Sequence, residues 1–144
     1  MELNRQNSDH VDSGWRTTRP FDPCDHRGGL RVRREVGVGL LELPYQVFFE
    51  HELRKLGLSF TSQAGFPVVY DGLRVELGYR TDLVVENAVI VELKTVAAIL
   101  PVHQAQLLTY MRLSGISVGL LMNFHAIPFK KGIHRLVIDP SRRS

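Results

Sequence analysis

The chain has 144 residues, 44% hydrophobic and 23% charged, which suits a single soluble globular domain with a sizeable core. A formal net charge of +3 and a pI near 9.3 are compatible with a polyanionic partner and too weak to require one. The one cysteine, Cys24, excludes an intrachain disulfide and a cysteine-based zinc site. With no run of about 18 apolar residues and no signal-peptide pattern, the expectation is a protein without a membrane span in a reducing, cytoplasmic location.

Residues 1–29 read as a disordered or divergent segment. They are rich in Asp, Asn, Ser, Arg, Gly and Pro, lack an apolar period, and leave Trp15 and Phe21 isolated. Residues 1–30 hold four Arg against five acids, so the basic balance belongs to the remainder. From Leu30 to Val38 the pattern is weak, with Arg31, Arg33 and Arg34 ahead of Gly37 and Gly39. Residues 30–138 are expected to form one domain, and 139–144 a basic tail.

A helix is predicted from about Pro44 to Leu56. Proline suits its first turn, Tyr45, Phe48, Phe49, Leu53 and Leu56 recur at helical spacing, and Gly57 stops it. Leu58–Gln63 reads as a strand. Pro67–Tyr70 and Leu73–Leu77 form a predicted hairpin around Asp71-Gly72. Tyr79–Val85 and Val89–Thr95 are two further β-rich runs, with Glu86-Asn87-Ala88 as the turn between them. A second helix is expected over Pro101–Leu113, with Val102, Ala105, Leu108 and Met111 or Arg112 as its apolar stripe and Ser114-Gly115 as its end. Ile116–Phe124 and Ile133–Ile138 are the last strands. The order of elements predicts an α/β or α+β sheet with helices packed on it.

Pairing the two central runs about Asn87 sets Val84 opposite Ile90 and Asp82 opposite Glu92. Period-two alternation then puts Asp82, Glu92 and Lys94 on one face, and Leu83, Val85, Val89, Val91 and Leu93 on the other. Two carboxylates and an ammonium are costly to bury unpaired. A divalent cation offsets that cost, and oxygen donors suit Mg²⁺ or Mn²⁺. Asp82 and Glu92 could hold such an ion with the Leu93 carbonyl. Lys94, roughly 6–7 Å further along, could serve a water or a phosphate during phosphodiester hydrolysis. The plain alternative is a cross-strand salt bridge on a solvated face, and spacing alone slightly favours it, because charged residues on one sheet face are common.

Three further features have bland alternatives as well. Glu42 suits a helix start through the dipole. His103, Gln106 and Tyr110 share one face of the second helix, where they could meet substrate or form a solvated surface. Lys130, Lys131, Arg135, Arg142 and Arg143 could steer nucleic acid, but only Phe129 supplies an interleaved aromatic.

Gly39-Leu40-Leu41-Glu42-Leu43-Pro44-Tyr45 resembles the signature of the bacterial GxxExxY proteins. Gly78–Leu83, Val89–Lys94, His103–Tyr110 and Gly119–Phe124 resemble that family's later blocks in their order, across residues 36–138. That family is similar in turn to the PD-(D/E)XK nucleases. The resemblance implies a restriction-endonuclease-like α/β fold, a mixed four-stranded core sheet flanked by helices, with an added hairpin. It implies that Asp82 is the motif aspartate, that Glu92 and Lys94 are the E-x-K pair, that Glu42 is the acid of the first core helix, and that Gln106 is the polar residue of the later helix. It departs upstream of Val36, where Cys24–Gly29 keeps no helix of small and aliphatic residues.

The leading expectation is therefore a Mg²⁺- or Mn²⁺-dependent nuclease acting on nucleic acid. Asp82, Glu92 and Leu93 would be its metal ligands. Lys94, Glu42 and Gln106 would be catalytic, and His103 and Tyr110 would contact substrate. A non-catalytic nucleic-acid or protein binding module on the same fold and a homo-oligomer subunit are the alternatives.

Overall fold

The computed structural model describes residues 26–139; the expectations for residues 1–25 and for most of the basic tail lie outside them. In chain order the elements are α1 (Arg27–Val36), α2 (Glu42–Lys55), β1 (Phe60–Ser62), β2 (Gly65–Tyr70), β3 (Leu73–Arg80), β4 (Leu83–Val85), β5 (Val89–Lys94), α3 (Pro101–Ser114), β6 (Val118–Asn123), a 3₁₀ turn (Phe129–Gly132) and β7 (Ile133–Val137). The main sheet is five-stranded, in the order β1-β4-β5-β6-β7, and β2 and β3 form a separate hairpin. The expected four-stranded core is thus extended by β1, whose short Phe60–Ser62 segment pairs with β4.

β5 and β6 run parallel, and the other neighbours in the sheet are antiparallel. A parallel pair needs a long crossover, which α3 supplies. Every residue of β6 is buried, as is every residue of β5 except Lys94. Continuous apolar runs of this kind mark central strands covered on both faces.

The alternation read from the sequence is observed. Leu83, Val85, Val89, Val91 and Leu93 join Tyr45, Phe49 and Leu53 of α2 and Val32 of α1 in one core. Val84 and Ile90 join Leu121 and α3 residues Leu107, Tyr110 and Met111 in the other. The register is also as expected, with Val84 opposite Ile90. Glu86 and Asn87 both have positive φ, as a type I′ turn requires, and the Ala88 N–H donates to the Val85 carbonyl at 3.0 Å.

Four features differ from expectation. Arg27–Val36 is a helix although Arg27–Gly29 showed no helical signal. It packs through its glycines: a Cβ on Gly29 would stand 3.1 Å from Met122 Sδ, and one on Gly28 would stand 3.2 Å from Glu52 Cβ. Arg33 then ties it down, donating from Nε to the Phe124 carbonyl at 2.8 Å. Tertiary contact overrides the low propensity of Gly.

The predicted run Tyr79–Val85 is two strands. Thr81 donates its N–H to the Ala64 carbonyl and stays with the hairpin, whereas Leu83 already pairs with β5. The chain changes sheets at Thr81-Asp82. The predicted strand over Leu58–Gln63 is likewise trimmed, since Gln63 takes positive φ.

The buried side of α3 is Leu107, Tyr110 and Met111, and Val102 and Ala105 of the predicted stripe are exposed. Gly119 sets this phase. A Cβ there would lie 2.7 Å from Met111 Sδ and 2.9 Å from Leu107 Cγ, so α3 settles onto β6 through the missing side chain.

Candidate functional site

Asp82 and Glu92 meet where β4 has parted from the hairpin. The Asp82 N–H donates to Glu92 Oε1 at 2.9 Å, and the Leu93 N–H donates to Asp82 Oδ2 at 2.8 Å. Each carboxyl thus gives one oxygen to the other strand's main chain. The Leu93 carbonyl points to the same edge as its N–H, toward β4. The β4–β5 ladder stops at Leu83–Val91, and the Thr81 N–H that would continue it is committed to Ala64. The Leu93 carbonyl therefore faces the fork between the strands, beside both acids.

The helix α2 brings in Glu42 from its first turn. Its place is set by Tyr45, three residues on and fully buried. The Tyr45 hydroxyl donates to the Gly37 carbonyl at 2.6 Å and accepts the Leu40 N–H at 3.3 Å. Its ring stacks on Phe124 with centroids 4.5 Å apart. His125 Nε2 contacts the Leu40 carbonyl at 3.0 Å from the other side. Gly37 and Gly39 adopt positive φ in this loop, which glycine does without steric cost. The Gly–Glu–Tyr spacing is thus a clamp that holds the loop leading into Glu42.

The electrostatics join these groups into one site. Burial raises the pKa of Asp82, against the Leu93 N–H and the charge of Lys94, which lower it. Glu92 is pushed up to about 8, first by burial and then by the charge of Asp82, with Glu42 adding a smaller push. Burial and Asp82 raise Glu42 too, while Lys94 opposes. Three acids and one lysine therefore feel each other. The salt-bridge alternative does not form: the ion pairs among the described residues include Arg31–Glu52, Lys55–Glu52 and Arg74–Glu76, and Lys94 is in none. Nor, among the described residues, do three or more His, Cys, Asp and Glu side chains converge as a ready cage for a metal.

Two glutamines stand here that sequence reasoning missed. Gln46 is 5% exposed and donates from Nε2 to the Asp82 carbonyl at 3.4 Å. Gln63 donates its N–H to that carbonyl at 2.8 Å and its side-chain amide to Gln46 Oε1 at 3.0 Å. Glu50, also buried, accepts from the Ser62 hydroxyl. Their signal was present. Glu42, Gln46 and Glu50 recur every four residues, one position after the apolar Leu41, Tyr45 and Phe49, so a polar ridge runs beside the apolar one.

The α3 residues are placed less closely. Gln106 is exposed and makes no hydrogen bond to the acids. His103 is half-buried, and its Nδ1 accepts the Leu100 N–H at 2.9 Å, which caps the helix. Tyr110 is 9% exposed and packs in the core with Val84, Ile90 and Leu121.

The profile of the PD-(D/E)XK nuclease superfamily matches residues 27–136, from the start of α1 into β7. The chain belongs to the PD-(D/E)XK nuclease superfamily. Its mixed sheet flanked by helices is the restriction-endonuclease-like arrangement of those proteins. No curated protein and no solved structure matches the chain. Among the described residues of this superfamily member, no helix is long and apolar enough to cross a membrane.

Proposed function

We propose that the protein is a metal-dependent nuclease of the GxxExxY type, hydrolysing phosphodiester bonds of nucleic acid with Mg²⁺ or Mn²⁺. The observation that carries this reading is the fork itself. The Glu92 carboxyl accepts the Asp82 N–H and the Asp82 carboxyl accepts the Leu93 N–H across it, and Lys94 stands on the same face as Glu92 without a salt bridge.

The donor set fits the ion. Two carboxylates and the Leu93 carbonyl are hard oxygen ligands, which suit an ion that keeps several waters and completes its shell with phosphate oxygens. Two protein acids are enough for such an ion, so a cage of three is not required. The rise of Glu92 to about 8 supports the fit, because a nearby dication is the charge that this buried carboxyl lacks. Bound there, the ion would supply Lewis acidity toward the scissile phosphate.

The side chains do the rest. Asp82 and Glu92 fix the position of the charge. Lys94 orients the attacking water and stabilises the negative charge that develops on the phosphoryl oxygens. A P–O bond forms to water as the ester P–O bond breaks, and the leaving oxygen takes a proton. Glu42, held by the Tyr45 clamp, adds a polar contact on the side of α2. Gln106, exposed on α3, would meet the nucleic acid from solvent rather than from within the site.

The test is incubation of the purified protein with single- and double-stranded DNA and RNA in Mg²⁺ or Mn²⁺. Wild type is expected to cut at least one of them, and Asp82→Ala and Lys94→Ala are expected not to. Tight nucleic-acid binding without cleavage, unaffected by EDTA, would instead establish the binding-module reading.

A further inference from the structure

A cleft of about 300 Å³ opens just beyond the carboxyl ends of the parallel strands β5 and β6. In open α/β sheets this is where ligands seat. One wall is Ala97, Ala98 and Ile99, which leave the strand three residues after Lys94; the other carries Ala126, Lys131 and His134. Asn123, the register partner of Lys94, lies between them.

The chemistry of the lining narrows the ligand. The alanines make room and Ile99 gives an apolar wall, so the interior suits a flat, weakly polar group. The buried Asn123 side chain is largely committed: its Oδ1 accepts the Val96 and His125 N–H groups, and its Nδ2 donates one of its two hydrogens to the Val96 carbonyl at 2.8 Å. Polar recognition therefore falls to the half-buried His134 imidazole and the exposed Lys131 ammonium. An imidazole that can read a heterocycle edge, a cation beside it and an apolar slot describe a nucleotide: a base inside, its phosphate at the lysine.

The size decides its strandedness. A space of this volume is at the small end for ligand sites and holds one nucleotide, not a base pair within its stack. A stacked base must first be extruded, at a cost of a few kcal/mol that a single strand largely escapes.

We propose that this cleft seats one unpaired nucleotide of the substrate strand beside the scissile phosphate, and that the protein therefore selects single-stranded or frayed nucleic acid over continuous duplex. The proposal rests on the nuclease reading and adds the substrate class to it.

Fluorescence anisotropy on the full chain in EDTA tests it, with a short labelled single strand and the same sequence as duplex. The single strand is expected to bind about tenfold more tightly, the scale of one base contact. Ala97→Trp, which fills the slot from an exposed position, and Lys131→Glu are each expected to remove most of that preference with an unchanged melting temperature. Equal affinity for both forms, no binding of either, or an Ala97→Trp variant that keeps the preference would overturn it. Mn²⁺ calorimetry on the same samples separates the two readings. Mn²⁺ heat and cleavage with no strand preference sink the cleft alone; no Mn²⁺ heat and no cleavage sink the nuclease reading as well.

Discussion

The Asp82 N–H donates to Glu92 Oε1 at 2.9 Å, so the two acids of the fork are locked together by main chain rather than by a cation of the protein. Burial, and then the charge of Asp82, push Glu92 up to about 8 against an ordinary 4.5, although the Asp82 N–H itself favours the carboxylate. A group whose folded pKa is raised contributes stability that is fully present below its unfolded value and lost as pH rises through the folded one. For Glu92 that window runs from 4.5 to about 8. Glu92→Gln keeps the amide oxygen as acceptor and removes the charge. Without divalent metal it is expected to match wild type near pH 5 and to exceed it by a few kcal/mol near pH 9. Urea melts across that range measure it; a constant difference would show that Glu92 titrates normally.

The same proton bears on metal binding. Ligation needs the carboxylate, so uptake of the ion releases protons wherever the acid is still protonated. Asp82 is raised in the same direction by burial. Mn²⁺ affinity is expected to climb between pH 6 and about 8.5, by roughly tenfold per unit where one proton is displaced. Titration calorimetry in two buffers of different ionisation heat reads both the affinity and the protons. A flat profile would remove Glu92 from the ligand set.

Tyr45→Phe separates the clamp from the core. The ring can still stack on Phe124, but the hydroxyl bonds to Gly37 and Leu40 are gone. The expected loss of stability is about 1–2 kcal/mol, the net worth of two hydrogen bonds. Cleavage should fall further than that loss implies, about tenfold or more, because the loop entering Glu42 is freed. If activity stays at the wild-type level, the clamp is structural only.

How far the sequence reaches is visible in these residues. Asp82, Glu92 and Lys94 were legible because strand alternation is a local rule and the turn at Glu86-Asn87 fixed the register. The site's second layer was not, because Gln46 and Gln63 come from elements whose meeting is a tertiary fact; the ridge of Glu42, Gln46 and Glu50 was readable only as polarity. The helix α1 was hidden because its packing surface is Gly28 and Gly29, residues that argue locally against a helix. Leu107 was missing from the predicted stripe, and Met111 stood undecided against Arg112, for a similar reason. The partner that selects them on α3 is an absence of side chain at Gly119.

Gln46→Leu tests the second layer. The change removes one acceptor of the Gln63 amide, which still bonds the Asp82 carboxyl, and takes one donor from the Asp82 carbonyl. Gln63 is exposed and the Asp82 carbonyl keeps the Gln63 N–H, so the change is expected to cost little stability. Groups that orient metal ligands typically change metal affinity by about 10–100-fold, so Mn²⁺ binding should weaken by at least about tenfold. Gln63→Ala removes the other half of the pair and should weaken binding less, since its main-chain N–H still holds Asp82 at 2.8 Å. Equal effects from the two variants would mean that the side-chain pair, and not the grip on Asp82, is what matters.

Gly119→Ala probes the seat of α3, which carries His103, Gln106 and Tyr110. The added methyl would meet Met111 Sδ at 2.7 Å and Leu107 Cγ at 2.9 Å, so both side chains must give way. Replacing a strand glycine recovers roughly 0.5–1 kcal/mol of backbone entropy, whereas overpacking costs about 1–3 kcal/mol. The balance is a destabilisation of about 1 kcal/mol or more, read from thermal or urea melts. Because thioethers are flexible, the strain should fall mainly on Met111. The double variant with Met111→Ala should then be more stable than the sum of the two single losses, a coupling that contacting residues show. Additive losses would place the clash elsewhere, on Leu107 or on the strand itself.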